Sequence, residues 1–149
     1  MERIRSWIME NARPLEKALY LYHFEAGSKE AVILELIKFQ NNDGGFGHGL
    51  EPDYLNPDST PIASQFAMNI IEQLDLEKDH PLVVSLIEYF LNTKDQLKWF
   101  YYIKVKSNND YPHAPWWHYK KGSEIDGYNP TASILGFIYK YIDRSHPMY

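Results

Sequence analysis

The chain contains no cysteine. Disulfides, thiolate metal sites and a cysteine nucleophile are therefore excluded. No run approaches the 18 or so apolar residues that a membrane-crossing helix needs. The N-terminal stretch MERIRSWIMENARPLE is broken by charge throughout and offers no apolar signal region, so a soluble protein, cytoplasmic by default, is expected. Blocks of one charge sign are missing too. Fifteen Lys and Arg stand against 20 Asp and Glu, for a formal net charge of −5, which makes a phosphate backbone a poor partner and argues against nucleic acid.

What is present fits an ordinary globular chain: 149 residues, 44% hydrophobic and 23% charged, room for a single domain over 1–149. A chain of this size buries about two thirds of its unfolded surface, enough to own a core. Aromatic residues reach 15%, twelve of them tyrosine, which suggests amphipathic surfaces beyond what a core requires.

Helical periodicity dominates. Pro14, Pro61 and Pro130 each open an apolar stretch, at a position where a missing amide and a fixed φ cost nothing. Leu15, Ala18, Leu19 and Tyr22 follow the first, Ile62, Phe66, Ile70 and Leu74 the second, and Ile134, Leu135, Ile138 and Ile142 the third, at helical spacing. Between them lie two more predicted helices, one capped by Ser28 and running through Val32 to Phe39, the other opening at His80-Pro81-Leu82. The second helices align, with Leu34, Gln40 and Asp43 falling on Leu86, Asn92 and Asp95, each 52 residues on. The next starts, Pro61-Ile62-Ala63-Ser64 and Pro130-Thr131-Ala132-Ser133, match 69 residues apart. The expected fold is all-α, built of repeated helical hairpins with a variable connection.

Ser145-His146-Pro147-Met148 repeats the opening Asp79-His80-Pro81-Leu82, and the Pro130 helix is apolar on nearly every side, which calls for burial. The expectation is about two and a half hairpins, completed either by a C-terminal half of a longer protein or by homo-oligomerisation. Residues 97–105 fit no single period: Trp99, Tyr101, Ile103 and Val105 alternate with Lys98 and Lys104, yet Phe100 and Tyr102 break the pattern, so a short strand and a helix extension both stay open.

The string Gln40-Asn41-Asn42-Asp43-Gly44-Gly45-Phe46-Gly47, ahead of a Pro-Ile-Ala-Ser helix start, resembles the Q-x-x-D-G-G-F/W repeat of protein prenyltransferase β subunits and squalene or terpenoid cyclases. The resemblance covers Leu34 to about Leu74 and implies a partial α/α toroid, in which helical hairpins form two concentric layers. In the second copy Asp95 is kept, but Gln-Leu-Lys-Trp replaces Gly-Gly-Phe. The string also reads mechanically: Gly44 and Gly45 at positive φ would stop the helix, Asp43 would bond turn amides and Phe46 would fold back on the hairpin. Gly45→Val is then expected to destabilise through its φ. The zinc site of the prenyltransferases needs a cysteine that this chain lacks, and the Asp-x-Asp-Asp string of the class II cyclases does not occur. The resemblance therefore implies fold more than chemistry.

Hairpins alternate direction, so the connections over 41–60 and 96–129 should share one rim. Both exceed the few residues usual between packed helices. They carry His48, Glu51, Asp53 and Asp58 in the first, and His113, Trp116, Trp117, His118, Glu124 and Asp126 in the second. Glu51 and Asp53 are the candidate catalytic acid and base, if burial separates their pKa values, or else caps for loop amides. His48, His113, Trp116, Trp117, His118 and Asp126 are the candidate ligand contacts, since a polar floor with aromatic walls suits a small molecule. The tryptophans could stack on a sugar or enclose an isoprenoid, or plug a partly empty helix array. No second histidine stands at helical distance from His48, so no metal site is assigned, and the sequence identifies no cofactor. Asp58 and Ser59 are expected to cap the Pro61 helix, and His23, His80 and His146 to be structural. Three functions fit: an enzyme acting on an isoprenoid-like or glycan substrate in a central cavity, a non-catalytic ligand-binding module, and a protein-interaction helical repeat.

Overall fold

Ring closure fixes φ at each proline that opens a helix, and the chain uses this three times. Pro14, Pro61 and Pro81 each take the first position of an α-helix. The computed structural model describes residues 2–93, 100–143 and 145, in which six α-helices and no strand are present. The chain divides into two units, Met1–Phe39 and Gln40–Tyr149.

The first unit holds α1 (Glu2–Asn11), α2 (Pro14–Phe24) and α3 (Lys29–Leu36). The helix α1 goes beyond the sequence expectation and buries none of its residues. An ion pair from Arg5 Nε to Glu25 Oε1 at 2.6 Å ties it to the end of α2. As expected, Ser28 caps α3 by accepting from Ala31 N at 3.1 Å, and Val32 and Leu36 are its buried face. A single 3₁₀ turn over Ile37–Phe39 follows.

The second unit holds α4 (Pro61–Gln73), α5 (Pro81–Thr93) and α6 (Thr131–Tyr141), each in contact with the other two. Gln65 donates to Ser133 and Lys140 to Glu72, so contacts advance together along α4 and α6 and the two helices run parallel. Ile62, Ala63, Ala67, Ile70 and Ile71 of α4 are buried, as are Leu82, Val83, Leu86, Tyr89 and Phe90 of α5 and Ile134, Phe137, Ile138 and Tyr141 of α6. Phe90 and Phe137 meet edge to face at 6.4 Å and Phe137 lies 4.5 Å from Tyr141, which makes the centre of this core aromatic. His80 is structural, as expected: its carbonyl accepts from Val83 N and Val84 N and its Nδ1 from Leu82 N.

Five local expectations are corrected. Pro130 occupies the N-cap position of α6, at φ −88° and ψ 5°, so the helix begins one residue later than at the other prolines. Only one face of α6 is covered: Leu135 is 40% and Tyr139 60% exposed, because the packing partners α4 and α5 both lie against the other side. Capping of α4 falls to Thr60, whose hydroxyl accepts from Ala63 N at 3.2 Å, while the Ser59 hydroxyl bonds Asn41 and Asp43 and the Asp58 amide bonds Asn56. Gly44 has the expected positive φ of 85°, but Gly45 does not, and its lack of a side chain is required for space instead. A Cβ there would lie 2.6 Å from both Ser59 Cβ and the Tyr89 ring. Finally, residues 100–105 are neither strand nor helix, because their bonds are tertiary: Tyr101 N donates to Thr131 Oγ1 and Ile103 N to the Glu124 carbonyl. Asp95, Trp99, His146, Pro147 and Met148 lie outside the described residues.

The glycine-rich string is a clamp. Gln40 Nε2 donates to the Gly44 carbonyl at 3.1 Å and to Ser85 Oγ of α5 at 2.9 Å. Asp43 Oδ1 accepts from Gly45 N at 3.0 Å and from Ser59 Oγ at 2.7 Å. Phe46 is wholly buried, with its N–H bonded to Ser64 Oγ of α4. Gln40, Asp43 and Phe46 each have a mechanical task, and the motif joins α4 and α5 at one end.

Candidate functional site

A loop buries its backbone only where another segment satisfies its polar groups. The two long connections do this for each other. Leu55 N donates to the Pro112 carbonyl at 3.0 Å and Ala114 N to the Asp53 carbonyl at 2.8 Å, with Tyr54 and His113 paired across the seam. Beneath the seam lies a buried polar cluster. Tyr54 donates from its hydroxyl to Asn108 Oδ1 at 2.6 Å, Asn56 Nδ2 donates to Ser107 Oγ at 2.8 Å, and Asn108 Nδ2 donates to the Trp117 carbonyl at 2.9 Å. Burial pushes the Tyr54 hydroxyl up, which keeps its proton in place as a donor.

Of the expected site residues, Glu51, Asp53, Trp116 and Trp117 come together here. Trp117 donates from Nε1 to Asp53 Oδ1 at 2.8 Å and lies 5.7 Å from the Tyr54 ring. Asp53 titrates below its ordinary value. A hydrogen bond from Glu51 is the largest cause, burial opposes it, and the indoles of Trp117 and Trp116 add to it. Glu51 is buried, at 8% exposure, whereas Trp116 is 60% exposed on the 3₁₀ turn Pro115–Trp117. A half-buried indole thus anchors its exposed neighbour.

The remaining candidates separate. His113 and His118 stack 5.4 Å apart and share a hydrogen bond of 3.2 Å, with His113 Nδ1 donating to the Tyr111 carbonyl. They flank the Pro115–Trp117 turn, His113 before it and His118 after it. His48 takes a positive φ of 55° and bonds Asn41 Oδ1 at 2.8 Å. It lines a separate polar cavity of about 460 Å³ with Asn41, Asp43 and Asp58. Asp126 lies exposed in the turn before α6, its carbonyl accepting from Asn129 N, and no described contact joins it to Asp53. Among the described residues no group of three or more His, Asp and Glu side chains is placed to hold a metal ion, and no helix is long and apolar enough to cross a membrane.

Sequence reasoning missed Asn56, Ser107 and Asn108. Polar loop residues are read as solvated by default, and only the meeting of two distant segments buries Asn56 and Asn108 and half-buries Ser107. The low-titrating Asp53 carries a pH prediction. Its ordinary value is 3.8 and its folded value lies lower, so the stability it contributes is present above pH 3.8 and is lost as pH falls through the folded value. The melting-temperature gap between wild type and Asp53→Asn should be widest near neutrality and close in acid. A gap of constant size from pH 7 to about 2.5 would remove the ionised-anchor assignment.

Protein-family models, curated proteins and solved structures were each compared with the chain, and none of them matches it.

Proposed function

We propose that the seam between the two loops is a binding site for a small polar ligand of the sugar class, presented on an all-helical framework of toroid-type hairpins. The carrying observation is Trp116. An indole left 60% exposed, on a turn fixed from behind by the bond from Trp117 to Asp53, is a rigid stacking platform. Sugar rings stack their C–H faces on such a surface, and the ionised Asp53 and the paired His113 and His118 are polar groups beside it for hydroxyls. An isoprenoid would call for an apolar chamber, and the groups around this seam are mostly polar. The parallel course of α4 and α6 supports the hairpin framework.

Binding fits better than glycoside hydrolysis. Glycosidases hold their two carboxyl groups roughly 5 to 9.5 Å apart so that they flank the scissile bond. Here Asp53 is held by the Trp117 indole at 2.8 Å and Glu51 is buried, so the two acids anchor the loops and do not flank an open bond. The enzymatic reading has one observation of its own, the buried Glu51 beside an Asp53 that titrates below its ordinary value, two acids in unlike surroundings.

The test is a thermal-shift panel of mono- and oligosaccharides. Wild type should be stabilised by at least one sugar class, and Trp116→Ala should lose that shift while its unliganded melting temperature stays within about 1 °C, as for a surface substitution. A panel without any shift, or an unchanged shift in Trp116→Ala, defeats the binding reading. Release of reducing ends by wild type and not by Glu51→Gln would replace it with the enzymatic one.

A further inference from the structure

A second cavity, of about 850 Å³, is lined by Tyr102, Lys104, Lys106, Tyr119, Lys121 and Glu124 among others. Its walls are two stretches of chain, near residues 102–107 and 119–124, and they are held together by the bond from Ile103 N to the Glu124 carbonyl at 2.8 Å. Tyr119 is fixed at both ends. Asn109 accepts from its amide and donates to its carbonyl, and its hydroxyl donates to Glu124 Oε1 at 2.6 Å. The cavity is thus preformed by bonds within the protein, and its size lies in the range that accommodates a small molecule.

Its charge runs against that of the chain. Three lysines face one glutamate in a protein of formal net charge −5, and none of the three pairs with a carboxylate among the described residues. Like charges gathered round a concavity repel one another and favour the entry of a multivalent anion, which can meet several ammonium groups at once. Lysine serves phosphate as a point charge. The same walls carry two tyrosine rings and Val105, which suit a flat apolar body better than a bare ion.

We propose that this cavity binds a nucleoside phosphate, with Lys104, Lys106 and Lys121 on the phosphoryl groups and the rings of Tyr102 and Tyr119 against the base. The site is distinct from the Trp116 seam and does not depend on the sugar-binding reading.

Isothermal titration of the full chain with ADP, pyrophosphate and adenosine, at low and at physiological salt, tests it. ADP should bind, and at least tenfold more weakly when salt is raised, since surface charge is screened over about 8 Å at 0.15 M. Adenosine and pyrophosphate should each bind at least tenfold more weakly than ADP. Lys104→Gln/Lys121→Gln should lose at least tenfold in ADP affinity, and Trp116→Ala none. Absence of ADP binding to wild type overturns the proposal, as does salt-independent binding. Pyrophosphate binding as tightly as ADP would overturn the nucleoside assignment. If the double variant melts early, Lys106→Gln takes its place, and full affinity in that variant counts against the site.

Discussion

Gly44→Ala should destabilise the second unit by about 3 kcal/mol or more, enough to remove a large part of the stability of an ordinary domain. Two costs add. Gly44 has φ of 85°, a region that an L-residue enters at about 1–2 kcal/mol. In addition, a Cβ at that position would stand 2.2 Å from the Ser85 carbonyl oxygen and 2.8 Å from its carbon, so it meets the backbone of α5 and not a side chain able to turn aside. The clamp from Gln40 to Gly44 and Ser85 would have to open to relieve the clash. Gly122 and Gly45 separate the terms. Gly122 has φ of 92° and nothing within 4 Å of an added Cβ, so Gly122→Ala should show the dihedral cost alone, about 1 kcal/mol. Gly45 lacks the positive φ but meets Ser59 and Tyr89, so Gly45→Ala reports space without the dihedral. Urea denaturation of the three variants should rank Gly44→Ala as the most costly. Equal midpoints for Gly44→Ala and Gly122→Ala would show that the turn does not press on α5.

Elements governed by neighbouring residues were legible in the sequence. Ser28 before α3, Pro61 and Pro81 at first helical positions, and Asp43 two residues ahead of Gly45 act over one turn of chain, and the structure uses them as read. The helix α1 escaped because the charges through ERIRSWIMEN drew attention from its short helical stripe of Ile4, Trp7 and Ile8, of which Ile4 and Trp7 stay exposed. Asp58 and Ser59 were credited with a cap that Thr60 makes, since three adjacent oxygens compete and Asn41 and Asp43 engage Ser59 from another segment. The two acids were legible as Glu51 and Asp53 on either side of Pro52. Their partner was half legible: Trp116 and Trp117 are consecutive, yet one is anchored and the other exposed, and the 3₁₀ turn decides which. Asn56 and Asn108 carried no signal at all, because their burial exists only once residues some fifty positions apart have met.

The largest loss of stability is expected from Phe90→Ala. Phe90 is wholly buried on α5, and its ring meets Tyr101 at 5.6 Å and 75° and Phe137 of α6 at 6.4 Å and 76°. Edge-to-face contacts of this kind add to the area they bury. Its carbonyl also accepts from the Tyr101 hydroxyl at 2.8 Å, and burial pushes that hydroxyl up, so the proton stays in the bond. Tyr101 in turn donates its amide to Thr131 Oγ1 at the start of α6, so one side chain joins α5, the segment after it and α6. Truncation removes the ring, leaves a cavity among aromatic neighbours that cannot collapse without losing each other, and should cost about 3–5 kcal/mol. At two to eight degrees per kcal/mol for domains of this size range, the melting temperature should fall by on the order of 10 °C or more. Tyr139→Ala, on the exposed side of α6, should move it by about a degree at most. Phe90→Leu should recover part of the loss, because it restores volume without the edge-to-face geometry. Tyr101→Phe isolates the hydroxyl and should cost about 1 kcal/mol for leaving the Phe90 carbonyl without that donor. If Phe90→Ala melts within about two degrees of wild type, the aromatic centre does not join α5 to α6.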